Sequence, residues 1–140
     1  MILYLSFEEL AALSASAESV LTGDDAAEHG IAAPVRIMAE VEQFAQRLVG
    51  DVVVSSLDEQ ESMLRVVRHL LYECRLRMDE AVLMDGSSGE AAIAAYFAYA
   101  HVLSVEKRLT VIGQEMSAIV HVVTGDESDS ENGRRFLFPE

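Results

Sequence analysis

A chain of 140 residues is long enough for one domain with its own core, and its formal charge of −14 disfavours nucleic acid and anionic membrane surfaces as direct partners. The composition is 51% hydrophobic with only two prolines, which excludes a mostly disordered chain and favours helices. Because Cys74 is the single cysteine, an intramolecular disulfide is impossible, and a cytoplasmic location is expected.

The first two predicted helices have clear local signals. Ser6 and Glu9 have the spacing of a capping box, and the apolar residues that follow recur at helical intervals, which predicts a helix from about Phe7 to Leu21. A second amphipathic helix is predicted to start at Pro34 and to end at Gly50. Between the two helices the sequence favours a loop or a single turn.

A short extended connector is predicted next, because residues 51–56 are rich in valine. Ser56 and Glu59 repeat the capping-box spacing and predict a third helix that extends to about Val82 or Met84. His69 and Glu73 are predicted to lie opposite its apolar stripe. That stripe contains Met63, Val67, Leu70, Leu71, Cys74, Met78 and Ala81.

The fourth predicted helix is the longest element and runs from Glu90 to Thr124 without a proline. Its apolar arc is wide, so neighbours are expected on more than one side. At about 1.5 Å per residue it spans roughly 50 Å, which predicts that it overhangs its own bundle. Two alternatives remain open: a second copy packs antiparallel on the overhang, or a kink near Gly113 folds the helix back. The apolar stretch from Ala91 to Val105 is shorter than the roughly 20 residues that a membrane span needs.

These elements predict an all-α fold, in which a bundle of four main helices forms a single domain over residues 1–125 and the long C-terminal helix is central. Residues 126–140 are predicted to form an acidic flexible tail with a terminal apolar patch that includes Phe136 and Phe138. Docking of this patch onto its own oligomer is favoured, either as an edge strand beside residues 2–5 or in a groove on another subunit. Recognition of a partner by the chain end is the alternative.

The histidines provide only weak candidates for a metal site. His69 and Glu73 have i,i+4 ligand spacing, but the Glu-x-x-His pairs of di-metal carboxylate bundles are absent. An exposed His–Glu pair is the favoured interpretation, and neither a metal nor a cofactor is expected. His101 is predicted to be a partly buried core histidine, and a paired histidine at a dimer interface is the alternative.

Several other side chains are candidates for an interface. Arg68 and Tyr72 are predicted to be the freest residues on the basic surface of the third helix, because most of its other arginines have i,i+4 carboxylate partners. Tyr96 and Tyr99 fall on the less apolar side of the fourth helix. Cys74 is centred in an apolar stripe and is predicted to serve packing rather than catalysis.

The sequence contains no recognisable catalytic motif, so a non-enzymatic role is favoured. The leading hypothesis is an acidic helical protein that acts through protein–protein interaction, as a regulator or an immunity-type inhibitor that presents an acidic face to a basic protein. A homodimer through the third and fourth helices is expected. The alternative is a small-molecule or metal-binding bundle, which includes enzymes, with a site near His101, Tyr99 and Glu106 or at His69 and Glu73. A third hypothesis is a structural dimer whose acidic tail tethers or solubilises a neighbour.

Overall fold

The computed structural model describes residues 1–22 and 35–124 of the chain. The predicted all-α architecture with a long C-terminal helix is confirmed over these residues. The predicted loop before the second helix and the acidic tail with Phe136 and Phe138 lie outside the described residues. In chain order the elements are β1 (Ile2–Leu3), α1 (Phe7–Thr22), α2 (Val35–Gln46), β2 (Val52–Val53), α3 (Leu57–Asp85) and α4 (Glu90–Thr124).

The capping box predicted for α1 is confirmed by two reciprocal hydrogen bonds. The Glu9 backbone N–H donates to Ser6 Oγ at 3.1 Å, and the Ser6 backbone N–H donates to Glu9 Oε1 at 2.9 Å. The helix begins at Phe7, as the spacing indicates, and ends at Thr22. Its buried apolar side chains are Leu13, Ala17 and Val20.

The predicted extended connector forms a small antiparallel pair with the first residues of the chain. Ile2 lies opposite Val53 and Leu3 lies opposite Val52. Two further backbone contacts extend the pair, because the Met1 amino group donates to the Val54 carbonyl at 2.9 Å and the Val54 N–H donates to the Met1 carbonyl at 2.7 Å. The sequence predicted the extended segment but not its partner.

The second helix ends earlier than predicted. α2 stops at Gln46 rather than at Gly50, because the next residues form tighter bonds to the third residue before them. Arg47 N–H donates to the Phe44 carbonyl at 3.0 Å, and Leu48 N–H donates to the Ala45 carbonyl at 3.1 Å. Such bonds satisfy carbonyl groups that the end of an α-helix leaves free.

The two long helices form a hairpin. Ser56 caps α3 by accepting a hydrogen bond from the Glu59 backbone N–H at 3.1 Å, and Gly86 ends the helix with a φ of 80°. α4 is one continuous helix of 35 residues, so the alternative of a helix folded back at Gly113 is wrong. Within the described residues no helix is apolar enough, over a sufficient length, to cross a membrane.

The core occupies only one part of this hairpin. Apart from Ala92, the buried side chains of α3 and α4 lie between Gln60 and Cys74 and between Val102 and Ile112. There α1, α2 and the strand pair contribute the remaining buried residues. The core side chains are Leu3, Leu13, Ala17, Val20, Val41, Phe44, Leu48, Val52, Val54, Met63, Val66, Val67, Leu70, Cys74, Val102, Val105, Leu109 and Ile112.

Neighbouring elements were predicted on more than one side of α4, but the other described elements bury only part of it. Within the wide apolar arc predicted for this helix, Ala91 and Ala94 are exposed, and so is Ile119. Ile93 and Val111 are about half exposed. Both ends of α4 thus carry apolar side chains that the described residues of one chain leave accessible.

Candidate functional site: the exposed end of the helical hairpin

The candidate site is the end of the hairpin where α3 finishes and α4 begins. Six apolar side chains are exposed there, and we refer to them together as the hairpin end. Leu83 and Met84 are 85% and 79% exposed, which is unusual for side chains of this size and type. The hairpin end consists of Val82, Leu83 and Met84 from α3 and Ile93, Tyr96 and Phe97 from α4.

A tight loop holds the two halves of the hairpin end together. The Gly86 N–H donates to the Val82 carbonyl at 2.8 Å, and the Gly89 N–H donates to the Gly86 carbonyl at 3.2 Å. Gly89 must lack a side chain, because an added Cβ would lie 2.7 Å from Asp85 Cβ and 3.0 Å from the Asp85 carbonyl oxygen. The loop therefore places the last turn of α3 directly beside the first turns of α4.

The aromatic residues of the hairpin end contact each other. The rings of Tyr96 and Phe97 have their centroids 5.8 Å apart and are inclined at 69°, an edge-to-face arrangement. Both side chains are 56% exposed. They present aromatic surface to solvent at the same end of the hairpin as the exposed apolar side chains of α3.

The electrostatic surroundings of the hairpin end are acidic. Between Arg77 and Glu106 the sequence contains four carboxylates and neither lysine nor arginine. Asp79 is partly compensated by Arg75, whose Nε lies 3.5 Å from Asp79 Oδ1. Asp85 and Glu90 are exposed at the two sides of the loop. The exposed carboxylates of Asp85 and Glu90 therefore place negative charge beside the loop.

Among the predicted interface residues that the structure describes, Tyr96 belongs to the hairpin end and Arg68, Tyr72, Tyr99 and His101 do not. Tyr72 is about half exposed on α3, whereas Tyr99 packs against the core and His101 is half-buried. Arg68 is less free than predicted, since its Nε lies 3.3 Å from Glu106 Oε1 on α4. The structure does not bring these candidates together in one site.

The prediction that Glu73 lies on the exposed face of α3 is wrong. Glu73 is 3% exposed, and its Oε1 lies 3.9 Å from Nε2 of His69, a side chain that is also largely buried. Glu73 follows the buried residue Val66 by seven positions, and this spacing repeats the same direction on a helix. Neither His69 Nε2 nor Glu73 Oε2 has a hydrogen-bond partner among the described residues.

His69 and Glu73 share only their i,i+4 spacing with a metal site. Among residues 1–22 and 35–124, no group of three or more histidine, cysteine, aspartate or glutamate side chains is placed to hold a metal ion. Cys74 is buried and its Sγ lies 3.1 Å from Ser16 Oγ, as expected for a thiol that serves packing. The arrangement at His69 and Glu73 is a buried acid beside an imidazole.

We therefore expect Glu73→Met to stabilise the protein by about 1 kcal/mol, because a buried carboxylate without a full set of partners costs more than an apolar side chain of similar size. Urea denaturation at pH 7 measures the change. Glu73→Gln, which keeps the shape and the polar atoms, is the control and should gain less. A clear loss of stability in Glu73→Met would contradict the interpretation and indicate that the carboxylate makes a structural contact.

Two surface grooves lie away from the hairpin end. A groove of about 380 Å³ separates α2 from α3. Several of its side chains pair with each other: Arg47 Nη1 lies 2.7 Å from Glu59 Oε1, and Ser62 Oγ donates to Glu40 Oε2 at 3.0 Å. A second groove of about 270 Å³ lies between β1 and the Arg108–Glu115 part of α4. Neither groove is lined by His101, Tyr99 or His69.

Sequence reasoning missed most of the hairpin end. Of its six side chains only Tyr96 was among the predicted interface residues, and Val82, Leu83, Met84, Ile93 and Phe97 were not. The local sequence carries no signal for this exposure, because the apolar stripe predicted for the third helix continues to Ala81 and only the packing shows that burial on α3 ends at Cys74. Comparison with protein-family models, with curated proteins and with solved structures finds no match for this chain.

Proposed function

We propose that this protein acts through protein–protein interaction rather than catalysis, and that the hairpin end is its contact surface. The observation that carries the proposal is the exposure of six apolar side chains at the end of the hairpin that the Gly86–Gly89 loop closes, beyond the core. Exposed apolar patches of this kind are typical of interaction sites. A regulator or an immunity-type inhibitor would use such a surface.

The protein–protein interaction can also be with a second copy of the chain, which would form a homodimer. Its support is the outward surface of the last turns of α4, where Val111 is 49% exposed, Ile119 is 52% exposed and Val122 is 83% exposed. A second copy packed antiparallel along α4 would cover these residues and follow the two-fold symmetry that most homodimers have.

Site-specific photo-crosslinking tests the proposed function. Tyr96 is replaced by benzoylphenylalanine in the full chain, and irradiation is carried out on the purified protein and on the protein in an extract of its own cells. We expect an adduct at this position in at least one of the two samples, because the Tyr96 ring is 56% exposed and contacts the exposed ring of Phe97. Mass spectrometry of the adduct identifies a second copy or a different protein.

The same substitution at Phe7 is the matched control, because this residue is equally aromatic, is 82% exposed and lies on α1. An adduct that depends on position 96 supports the proposal. Equal adducts at both positions, or none at position 96, contradict it. Native mass spectrometry of the same material adds an independent outcome, since a retained metabolite or metal would favour the ligand-binding alternative.

A further inference from the structure

We infer that residues 134–138, which we call the basic-apolar segment, bind in the groove between β1 and α4 of their own chain and add a strand to the open edge of β1. The inference goes beyond the proposed function and does not rest on it, because the groove contains no residue of the hairpin end. It follows from the backbone of β1, the chemistry of the groove, and the pattern and reach of the segment.

The outer edge of β1 has backbone groups available for a further strand. Met1 and Val54 exchange two hydrogen bonds, and Ile2 belongs to the next pair of the ladder. Bonded and non-bonded pairs alternate in an antiparallel ladder, so the N–H and C=O of Ile2 point away from β2. The Tyr4 carbonyl, two residues on, faces the same edge and accepts a hydrogen bond from Arg108 of α4. Among the described residues, this edge is therefore bonded at Tyr4 and open at Ile2.

The groove beside this edge is suited to apolar side chains. Ile2 and Leu3 line it on one side, and Val111 and Ile112 of α4 line it on the other. Ile2 and Val111 are both about half exposed, so apolar surface is accessible on both sides. The volume is about 270 Å³, which is less than the roughly 300–1,000 Å³ of typical small-molecule sites. A groove of this size fits a few side chains of a peptide segment.

The groove also contains a carboxylate without a counter-charge. Glu115 lines the groove, is exposed and forms no ion pair with any described residue. Arg108 lines the same groove, but its guanidinium already donates to Glu9 and to the Tyr4 carbonyl. A basic side chain that enters the groove would therefore face the Glu115 carboxylate. The groove thus favours an occupant that combines apolar side chains with an arginine or a lysine.

The pattern of the basic-apolar segment matches this groove. Alternate side chains of an extended strand point to opposite sides, so Arg134, Phe136 and Phe138 share one side and the intervening residues face away. The shared side offers two aromatic rings to the apolar walls and one guanidinium to Glu115. Aromatic residues are also common in strands, and peptides often bind by adding a strand to an open sheet edge. We therefore place this side of the segment in the groove.

The segment is long enough to reach the groove of its own chain. Thr124 ends α4 and lies about 14 Å along the helix axis from Glu115, at about 1.5 Å per residue. The chain from Thr124 to Arg134 can extend over as much as about 33 Å. Attachment to the same chain also gives the segment an effective concentration on the order of millimolar at the groove. This concentration favours the chain's own segment over that of a second copy.

Photo-crosslinking from the segment tests the inference. Phe136 is replaced by benzoylphenylalanine in the full chain, and the irradiated protein is digested and analysed by mass spectrometry. We expect crosslinks from position 136 to residues 2–4 or 111–115, which line the groove. The same replacement at Leu137 is the matched control and should give these crosslinks at least about fivefold less often, because that side chain faces away. A mixture of unlabelled and nitrogen-15-labelled chains separates crosslinks within one chain from crosslinks between copies.

A charge exchange tests the contact with Glu115. Arg134→Glu and Glu115→Arg should each lower the yield of the position-136 crosslink about threefold or more, because each places two like charges together. The double variant should restore the yield. Arg135→Glu is the matched control, since it changes the net charge equally on the side that faces away. Combined with Glu115→Arg, it should not restore the yield.

Hydrogen exchange tests the added strand. In Phe136→Ser with Phe138→Ser, the Ile2 amide should exchange about tenfold faster or more than in the wild-type protein, because it loses its partner in the segment. The Val54 amide is the internal control, since it donates to the Met1 carbonyl and should exchange at the same rate in both proteins. An unchanged Val54 amide shows that the β1–β2 pair is still folded.

Three results would overturn the inference. Crosslinks from position 136 to residues outside the groove, or equal crosslinks from positions 136 and 137, would place the segment elsewhere. Crosslinks between differently labelled chains would show that a second copy supplies the occupant. An Ile2 amide that exchanges equally fast in both proteins would reject the added strand. None of these results affects the Tyr96 adduct, which tests the hairpin end separately.

Discussion

Replacing Arg108 by methionine is expected to lower the free energy of unfolding by about 2–3 kcal/mol at pH 7, because hydrogen bonds to charged groups contribute about 1.5–3 kcal/mol each and this residue makes more than one. Its guanidinium donates to a Glu9 carboxylate oxygen and to the Tyr4 carbonyl. These contacts join α4 to α1 and to the segment that follows β1. Methionine keeps much of the packing of the side chain but donates none of these bonds.

The pH dependence of stability should change in a defined direction. Burial raises the pKa of Glu9, but the hydrogen bond from the Ser6 backbone and the bond and charge of Arg108 outweigh it, so the pKa lies below its ordinary value. A lowered pKa in the folded state stabilises the protein at pH values above the ordinary glutamate pKa, and this stabilisation is lost as the pH falls through the folded value. Removing Arg108 leaves the effect of burial on the Glu9 pKa opposed only by the bonds from the Ser6 backbone and the Ser104 side chain.

The variant should therefore lose less stability than the wild-type protein does when the pH is lowered from 7 to about 3. Urea denaturation at several pH values measures this difference. Arg75→Met is the matched control, because Arg75 and Asp79 form an ion pair in which both side chains are more than half exposed, and such pairs contribute less than about 1 kcal/mol. Equal effects of the two substitutions would show that the Glu9 contact is no stronger than a surface pair.

The Glu9 cluster also shows what the sequence could and could not predict. The bond between Ser6 and Glu9 involves residues three positions apart, so a local pattern was sufficient to predict both the cap and the start of α1. The contact between Glu9 and Arg108 joins residues 99 positions apart, and no local pattern indicates it. Helix boundaries follow from neighbours in sequence, whereas pairing of charges between helices depends on how the helices pack.

The same distinction between local pattern and packing applies to the long helices and the hairpin end. The length of α4 was predicted from the absence of proline and is confirmed, whereas the sequence left its continuity through Gly113 open and the structure shows it. The exposure of Leu83 and Met84 could not be predicted, because it depends on where α1 and α2 end against the hairpin. The burial of Glu73 was missed for the same reason, since an acidic residue is normally placed in solvent unless the packing is known.

The substitution Gly113→Ala tests a close contact between α4 and the Gln60 side chain of α3. Gly113 lies in the interior of α4, where glycine is less favourable than alanine by about 1 kcal/mol. On propensity alone, Gly113→Ala would stabilise the protein. The packing predicts the opposite, because a Cβ at this position would lie 2.6 Å from Gln60 Cδ.

Gln60 cannot move aside without loss. Its side chain is 4% exposed, and its Nε2 donates to the Leu109 carbonyl at 2.9 Å. Displacement of the amide would leave a buried polar group without a partner, which costs about 1–3 kcal/mol in addition to the lost packing. We expect Gly113→Ala to lower the free energy of unfolding by about 1–2 kcal/mol, after the gain in helix propensity is subtracted.

The effect should change sign when Gln60 is shortened. In a Gln60→Ala background the space beside position 113 is open, so the added methyl group fits and the propensity gain of up to about 1 kcal/mol remains. Urea denaturation of the wild-type protein, the two single variants and the double variant measures this coupling directly. Stabilisation by Gly113→Ala in the wild-type background would contradict the close contact. A change of sign would show that glycine occurs in this helix to admit the Gln60 amide, and not to bend the helix as its position in the sequence suggested.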